Sequence, residues 1–134
     1  MAAQSALQSL AGLALRLVSG AMFAFHGAQK IFGVLSPPAM HPAVGSQLWI
    51  GGIIELVGGA LIAIGLFTRP AALLASGTMA VAYFQFHWKL QMNEWKFLPA
   101  INQGELAALY CFVFLVFAVS GAGPVSIDRL RRRA

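Results

Sequence analysis

The spacing of the apolar runs limits this chain more than any other feature. Four runs, at about residues 7–32, 48–67, 70–88 and 104–120, each approach the roughly 20 residues that a helix needs to cross a bilayer. Only short polar breaks separate them. Charged residues make up 10% of the chain against 59% hydrophobic, whereas a soluble domain carries about 25% charged residues. The expectation is an all-α integral membrane four-helix bundle, one domain over residues 1–134, with the lipid bilayer as its first partner. That leaves no room for a large extramembrane catalytic domain, a nucleotide-binding fold or a DNA-binding module.

The formal net charge of +5 would point to nucleic acid in a soluble protein. Here Arg129, Arg131, Arg132 and Arg133 crowd the last six positions, so the charge reads as topology and no nucleic-acid partner is expected. Four spans put both termini on one side. Arg69 and the four tail arginines lie on that side, against Lys30, Lys89 and Lys96 on the other, which predicts cytoplasmic N- and C-termini in a bacterial inner membrane. The loops 33–47, broken by Pro37, Pro38 and Pro42, and 89–101 then lie outside. The tail 126–134 reads as a short basic amphipathic turn on the inner surface. Residues 2–15 carry no basic side chain and Arg16 stands where the apolar centre of a signal peptide would be, so the first run reads as a retained helix. Thr68 is the expected N-cap of the third. Cys111 is the lone cysteine, which excludes an internal disulfide, a CxxC redox pair and a cysteine zinc site.

Ionisable groups inside spans are costly and mark functional positions. With about 1.5 Å of rise per residue, Glu55 lies some 10 Å inward from the outer end of the second helix, and Arg16 lies deeper than His26 by roughly 15 Å. His26 and Lys30 end the first helix, Gln85 and His87 end the third, and Asn102 and Glu105 begin the fourth. Gly51, Glu55, Gly58, Gly59, Ile62 and Gly65 recur at helical spacing, as do Gly12, Arg16, Ser19, Gly20 and Gly27. Both stripes would face a neighbouring helix backbone. The expectation is an Arg16–Glu55 ion pair and a polar pocket, with Tyr83 one turn before His87, open to the outer face.

A structural role stands beside each. The ion pair would fix helix register, Asn102 and Glu105 would form a capping box, the histidines would sit at the interface with one hydrogen bond, and Cys111 would be a small buried apolar residue. As a site, two histidines, two carboxylates and a lysine suit a quinone head with proton exchange, a proton-coupled path for a small solute, or, least of all, metal or haem ligation. There is no CxxCH and no close histidine pair, so no metal site is expected and haem is not favoured.

Taken in order, Arg16, His26-Gly27-x-x-Lys30, Glu55 with Gly58-Gly59, Gly65-x-x-Thr68-Arg69, Asn102-x-Gly104-Glu105 and Gly123-Pro124-x-Ser126-x-Asp128 resemble the DoxX family over roughly residues 10–130. The resemblance implies a four-helix bacterial inner-membrane protein linked to redox work. Relatives include the membrane subunit of a thiosulfate:quinone oxidoreductase and a member that joins a rhodanese-like sulfurtransferase and a superoxide dismutase in a membrane oxidoreductase complex. It implies no settled catalytic residues. The resulting expectation is a membrane subunit of a quinone or thiol/sulfur oxidoreductase complex with its polar pocket near the outer face, a soluble redox or sulfurtransferase partner, and a cofactor that the sequence does not name, quinone being one candidate. A homo-oligomer, a small-solute transporter and a non-catalytic anchor for a soluble enzyme remain open.

Overall fold

A computed structural model describes residues 2–37 and 41–132; Pro38 of the proline loop and Arg133 of the tail lie outside them. Among the described residues there are four long helices, α1 (Ala2–Phe32), α2 (Gln47–Ile64), α3 (Thr68–Ala82) and, after the short α4 (Pro99–Asn102), α5 (Glu105–Ser120). A short α6 (Ile127–Arg131) follows. Four long helices thus stand where the four apolar runs lie, the third ending at Ala82 and not Trp88.

Local chemistry explains the boundaries. Ser46 opens α2 in an extended conformation, and its Oγ accepts a hydrogen bond from the Trp49 N–H at 3.3 Å. Gly65 closes α2 at φ 72°, a left-handed conformation that only glycine adopts without strain, and its N–H returns to the last turn. The sequence reads as a regular helix to Trp88, but residues Tyr83–Trp88 form a π turn, with the Lys89 N–H donating to the Phe84 carbonyl at 2.9 Å. Such wide turns often occur at functional sites.

Helices α1 and α2 pack backbone to backbone. A Cβ on Gly20 would meet Ala63 N at 2.6 Å, one on Gly59 would meet Ala24 N at 2.4 Å, and one on Gly27 would fall against Leu56 N. Small residues allow this approach between membrane helices. The contacts also fix the antiparallel register. Gly20 faces Ala63, Ala24 faces Gly59 and Gly27 faces Leu56, so each step up α1 is matched by an equal step back along α2.

Phe23 of α1, Ile62 of α2, Ala72 and Ala75 of α3 and Phe114 of α5 form the centre of the core. The Phe23 and Phe114 rings lie 4.7 Å apart, and Phe114 stacks on Tyr110 at 5.3 Å. The outward faces are equally apolar: Leu109, Phe112, Val116 and Val119 along α5 are all more than half exposed. Helices hydrophobic on every side belong in lipid. By length and composition α1 and α2 each suffice to cross a membrane, and α5 is a shorter apolar helix.

At one end of the bundle the chain leaves α5 and folds back over the α2–α3 turn. The Arg16 guanidinium donates from Nη1 to the Ala122 carbonyl at 2.6 Å and from Nη2 to the Val125 carbonyl at 2.8 Å. Asp128 accepts from the Phe67 N–H at 2.8 Å and the Thr68 N–H at 2.9 Å. The N-cap of α3 is therefore Phe67, not Thr68, and its capping group comes from a residue 60 positions away.

Candidate functional site

At the opposite end, all four long helices converge on a cavity of about 420 Å³, within the usual range for small-molecule sites. His26 and Lys30, one turn apart on α1, line it together with Glu55 of α2 and His87 of the π turn. Thr78 and Met79 of α3 and Leu106 and Tyr110 of α5 complete the wall, with Gln47 and Gln103 near the helix ends. The lining is mostly apolar.

The predicted Arg16–Glu55 pair does not form. Glu55 is paired with Lys30, Oε1 to Nζ at 2.5 Å, while Arg16 holds backbone carbonyls at the other end. The register of α1 against α2 explains the difference. It sets Arg16 level with residue 67 and Glu55 level with residue 28, an axial separation of roughly 18 Å. Gly52 supports the actual pair, because a Cβ there would press on Lys30 Cβ at 3.0 Å.

Glu55 is buried, yet only one of its carboxylate oxygens is satisfied. Its Oε2 and the hydroxyl of buried Tyr110 have no hydrogen-bond partner, and both residues line the cavity. Leaving a buried polar atom unpaired costs about 1–3 kcal/mol, so two in one cavity mark the place where a polar ligand or water would be held.

The remaining predicted positions divide. His26 lines the cavity and makes no hydrogen bond among the described residues, while His87 sits 3.4 Å from the Asn102 carbonyl through Nδ1. Tyr83 and Asn102 are not among the residues lining the cavity. The Tyr83 hydroxyl donates to the Phe97 carbonyl at 2.5 Å, and Asn102 Nδ2 donates to Tyr83 at 3.2 Å and to the Lys96 carbonyl at 2.8 Å. Together they tie the 89–101 loop to the π turn that follows α3. The predicted capping box is absent. Asn102 ends α4, Gly104 is the N-cap of α5 and Glu105 is its exposed first residue, where its charge favours the helix dipole without lining the cavity. Tyr110 and Gln103 were not singled out from the sequence. Tyr110 lies inside a continuous apolar run, where its hydroxyl was the one available signal.

The family model for DoxX matches residues 11–88. The chain belongs to the DoxX family. This DoxX match takes in Arg16, His26, Lys30, Glu55, Tyr83 and His87, and Asn102, Glu105 and Tyr110 follow it. Among curated proteins, an uncharacterized protein of Haemophilus influenzae (strain ATCC 51907 / DSM 11121 / KW20 / Rd) is 44% identical over 116 residues, covering 85% of each chain. No solved structure matches this DoxX chain. DoxX is a membrane family, in keeping with the apolar outer surface of the bundle.

Proposed function

We propose that this DoxX protein is the membrane subunit of a redox complex and that its cavity binds the head of a membrane-soluble quinone. The observation that carries this reading is the pair of partnerless polar atoms, Glu55 Oε2 and Tyr110 OH, beside the Lys30 ammonium in an otherwise apolar wall. A quinone ring is flat and apolar with two carbonyl acceptors, and Lys30 and Tyr110 offer donors. The reduced form carries two hydroxyl donors, and Glu55 Oε2 accepts. One set of side chains therefore serves both forms. Conversion takes up two electrons and two protons. Lys30, His26 and His87 stand where protons could be relayed. The lone Cys111 provides no dithiol, so the electrons come from a soluble partner such as a dehydrogenase or sulfurtransferase-linked enzyme. In this reading the arginine-rich end faces the cytoplasm of a bacterial inner membrane and the cavity faces outward.

The test is quinone retention. Protein purified in mild detergent is extracted and its quinone compared with that of an unrelated membrane protein prepared alongside. Enrichment that falls about tenfold or more in Glu55→Gln and in Tyr110→Phe, with the folded yield unchanged, supports the reading. Equal quinone in the protein, its variants and the control overturns it.

A further inference from the structure

A second cleft, of about 320 Å³, lies at the other end of the bundle, between the α2–α3 turn, the end of α5 and α6. Arg69, Arg129 and Arg132 line it, with the Ser120 hydroxyl and the backbone of Gly121 and Gly123. Asp128 is its one carboxylate, and both oxygens of that group are engaged by the Phe67 and Thr68 N–H groups. Among the described residues, none of the three arginine side chains makes a hydrogen bond or an ion pair, although Arg132 lies near enough to Asp128 to help lower its pKa. Arg69 lies along Gly121, where an added Cβ would meet its Nε at 3.2 Å. Three guanidinium groups thus border one concave space against a single carboxylate, Asp128, whose oxygens are already taken by backbone N–H groups.

The height of the cleft matters as much as its charge. It is built from the ends of the bundle's long helices, and with the apolar bundle in a bilayer such an end would lie at the level of the lipid headgroups. Guanidinium groups bind phosphate oxygens in paired hydrogen bonds, and basic pockets at this level between membrane helices suit anionic headgroups. We propose that this cleft is a phosphate-binding site at the membrane surface, held by Arg69, Arg129 and Arg132. Two sources carry the required chemistry, the headgroup of an anionic phospholipid and free inorganic phosphate. The proposal is independent of the quinone reading, because it uses none of the residues of the first cavity.

The three arginines can be replaced without removing any hydrogen bond, so Arg69→Gln, Arg129→Gln, Arg132→Gln and the triple change should leave the fold intact, as circular dichroism would check. Delipidated protein is presented with phosphatidylglycerol, with phosphatidylcholine and with inorganic phosphate, and bound adducts are counted by native mass spectrometry. Each single change should weaken binding about fivefold and the triple change roughly a hundredfold. Phosphatidylglycerol adducts that exceed phosphatidylcholine adducts and are lost in the triple variant identify the lipid as the source. Phosphate adducts lost in the same variant, with no preference between the lipids, identify the free ion. Binding that is equal for both lipids and absent for phosphate, or binding that survives in the folded triple variant, overturns the proposal.

Discussion

Replacing Arg16 with alanine removes two charge-assisted hydrogen bonds, at 2.6 and 2.8 Å, from a side chain that is 2% exposed. Hydrogen bonds to charged groups contribute about 1.5–3 kcal/mol each, so the loss should be about 3–6 kcal/mol. It should appear as a lower midpoint in denaturant titration of the detergent-solubilised protein. Arg16→Lys keeps the charge but offers a single point of donation, and should recover part of the loss. Gly65→Ala should imitate Arg16→Ala, since the new Cβ would press into the guanidinium and φ is 72°. The decisive measurement is a pair of double-mutant cycles. Arg16 and Glu55 stand roughly 18 Å apart along the axis, so Arg16→Ala and Glu55→Ala should add to within about 0.5 kcal/mol. Lys30→Ala and Glu55→Ala should not. Coupling above about 1 kcal/mol between positions 16 and 55, or a loss below about 1 kcal/mol in Arg16→Ala, would refute both the register and the carbonyl clamp.

Three further outcomes follow from the same geometry. Lys30→Met alone leaves buried Glu55 without its cation and should cost about 3–5 kcal/mol, more than Lys30→Met with Glu55→Gln, as unfolding midpoints of the three proteins would show. Burial by itself would raise the Asp128 carboxyl, but hydrogen bonds from Thr68 and Phe67 and the charge of Arg132 outweigh it and hold the pKa below the ordinary value. Its stabilisation is therefore complete above the ordinary carboxylate range and is lost as pH falls through the lowered native value. Asp128→Ala should cost about 1–2 kcal/mol near neutrality, with the gap to the unmodified protein closing in acid; a gap that stays constant to pH 2 would contradict the capping role. Gly59→Leu should separate α1 from α2, because even a Cβ there stands 2.4 Å from Ala24 N, and loss of the monodisperse peak in size-exclusion chromatography is the readout.

Sequence reasoning reaches furthest where a position depends on one helix at a time. His26, Lys30, Glu55 and His87 could be assigned to one depth because rise per residue is constant, and the structure places all four around one cavity. The pairing of Arg16 depended on how α1 slides against α2, which glycine contacts decide and which no single-helix periodicity contains. Asn102 and Glu105 had the spacing of a capping box, but the left-handed residue Gln103, at φ 60°, interrupts the chain between them. The Tyr83 hydroxyl meets the Phe97 carbonyl and not the cavity, and a hydroxyl inside a helix does not announce which loop carbonyl it will meet. Tyr110 was hidden by its apolar neighbours, and the π turn by a sequence with no proline or glycine between residues 83 and 88.

The fold-back of residues 121–128 has a consequence for how the protein is made. During synthesis α1 enters the membrane long before Ala122 and Val125 exist, so the Arg16 guanidinium first reaches the bilayer without the carbonyls that later receive it. The start of α3 likewise waits 60 residues for the carboxylate that caps it. A ribosome that stalls or a message that is cut before codon 122 therefore yields a bundle with a bare cation in its first helix.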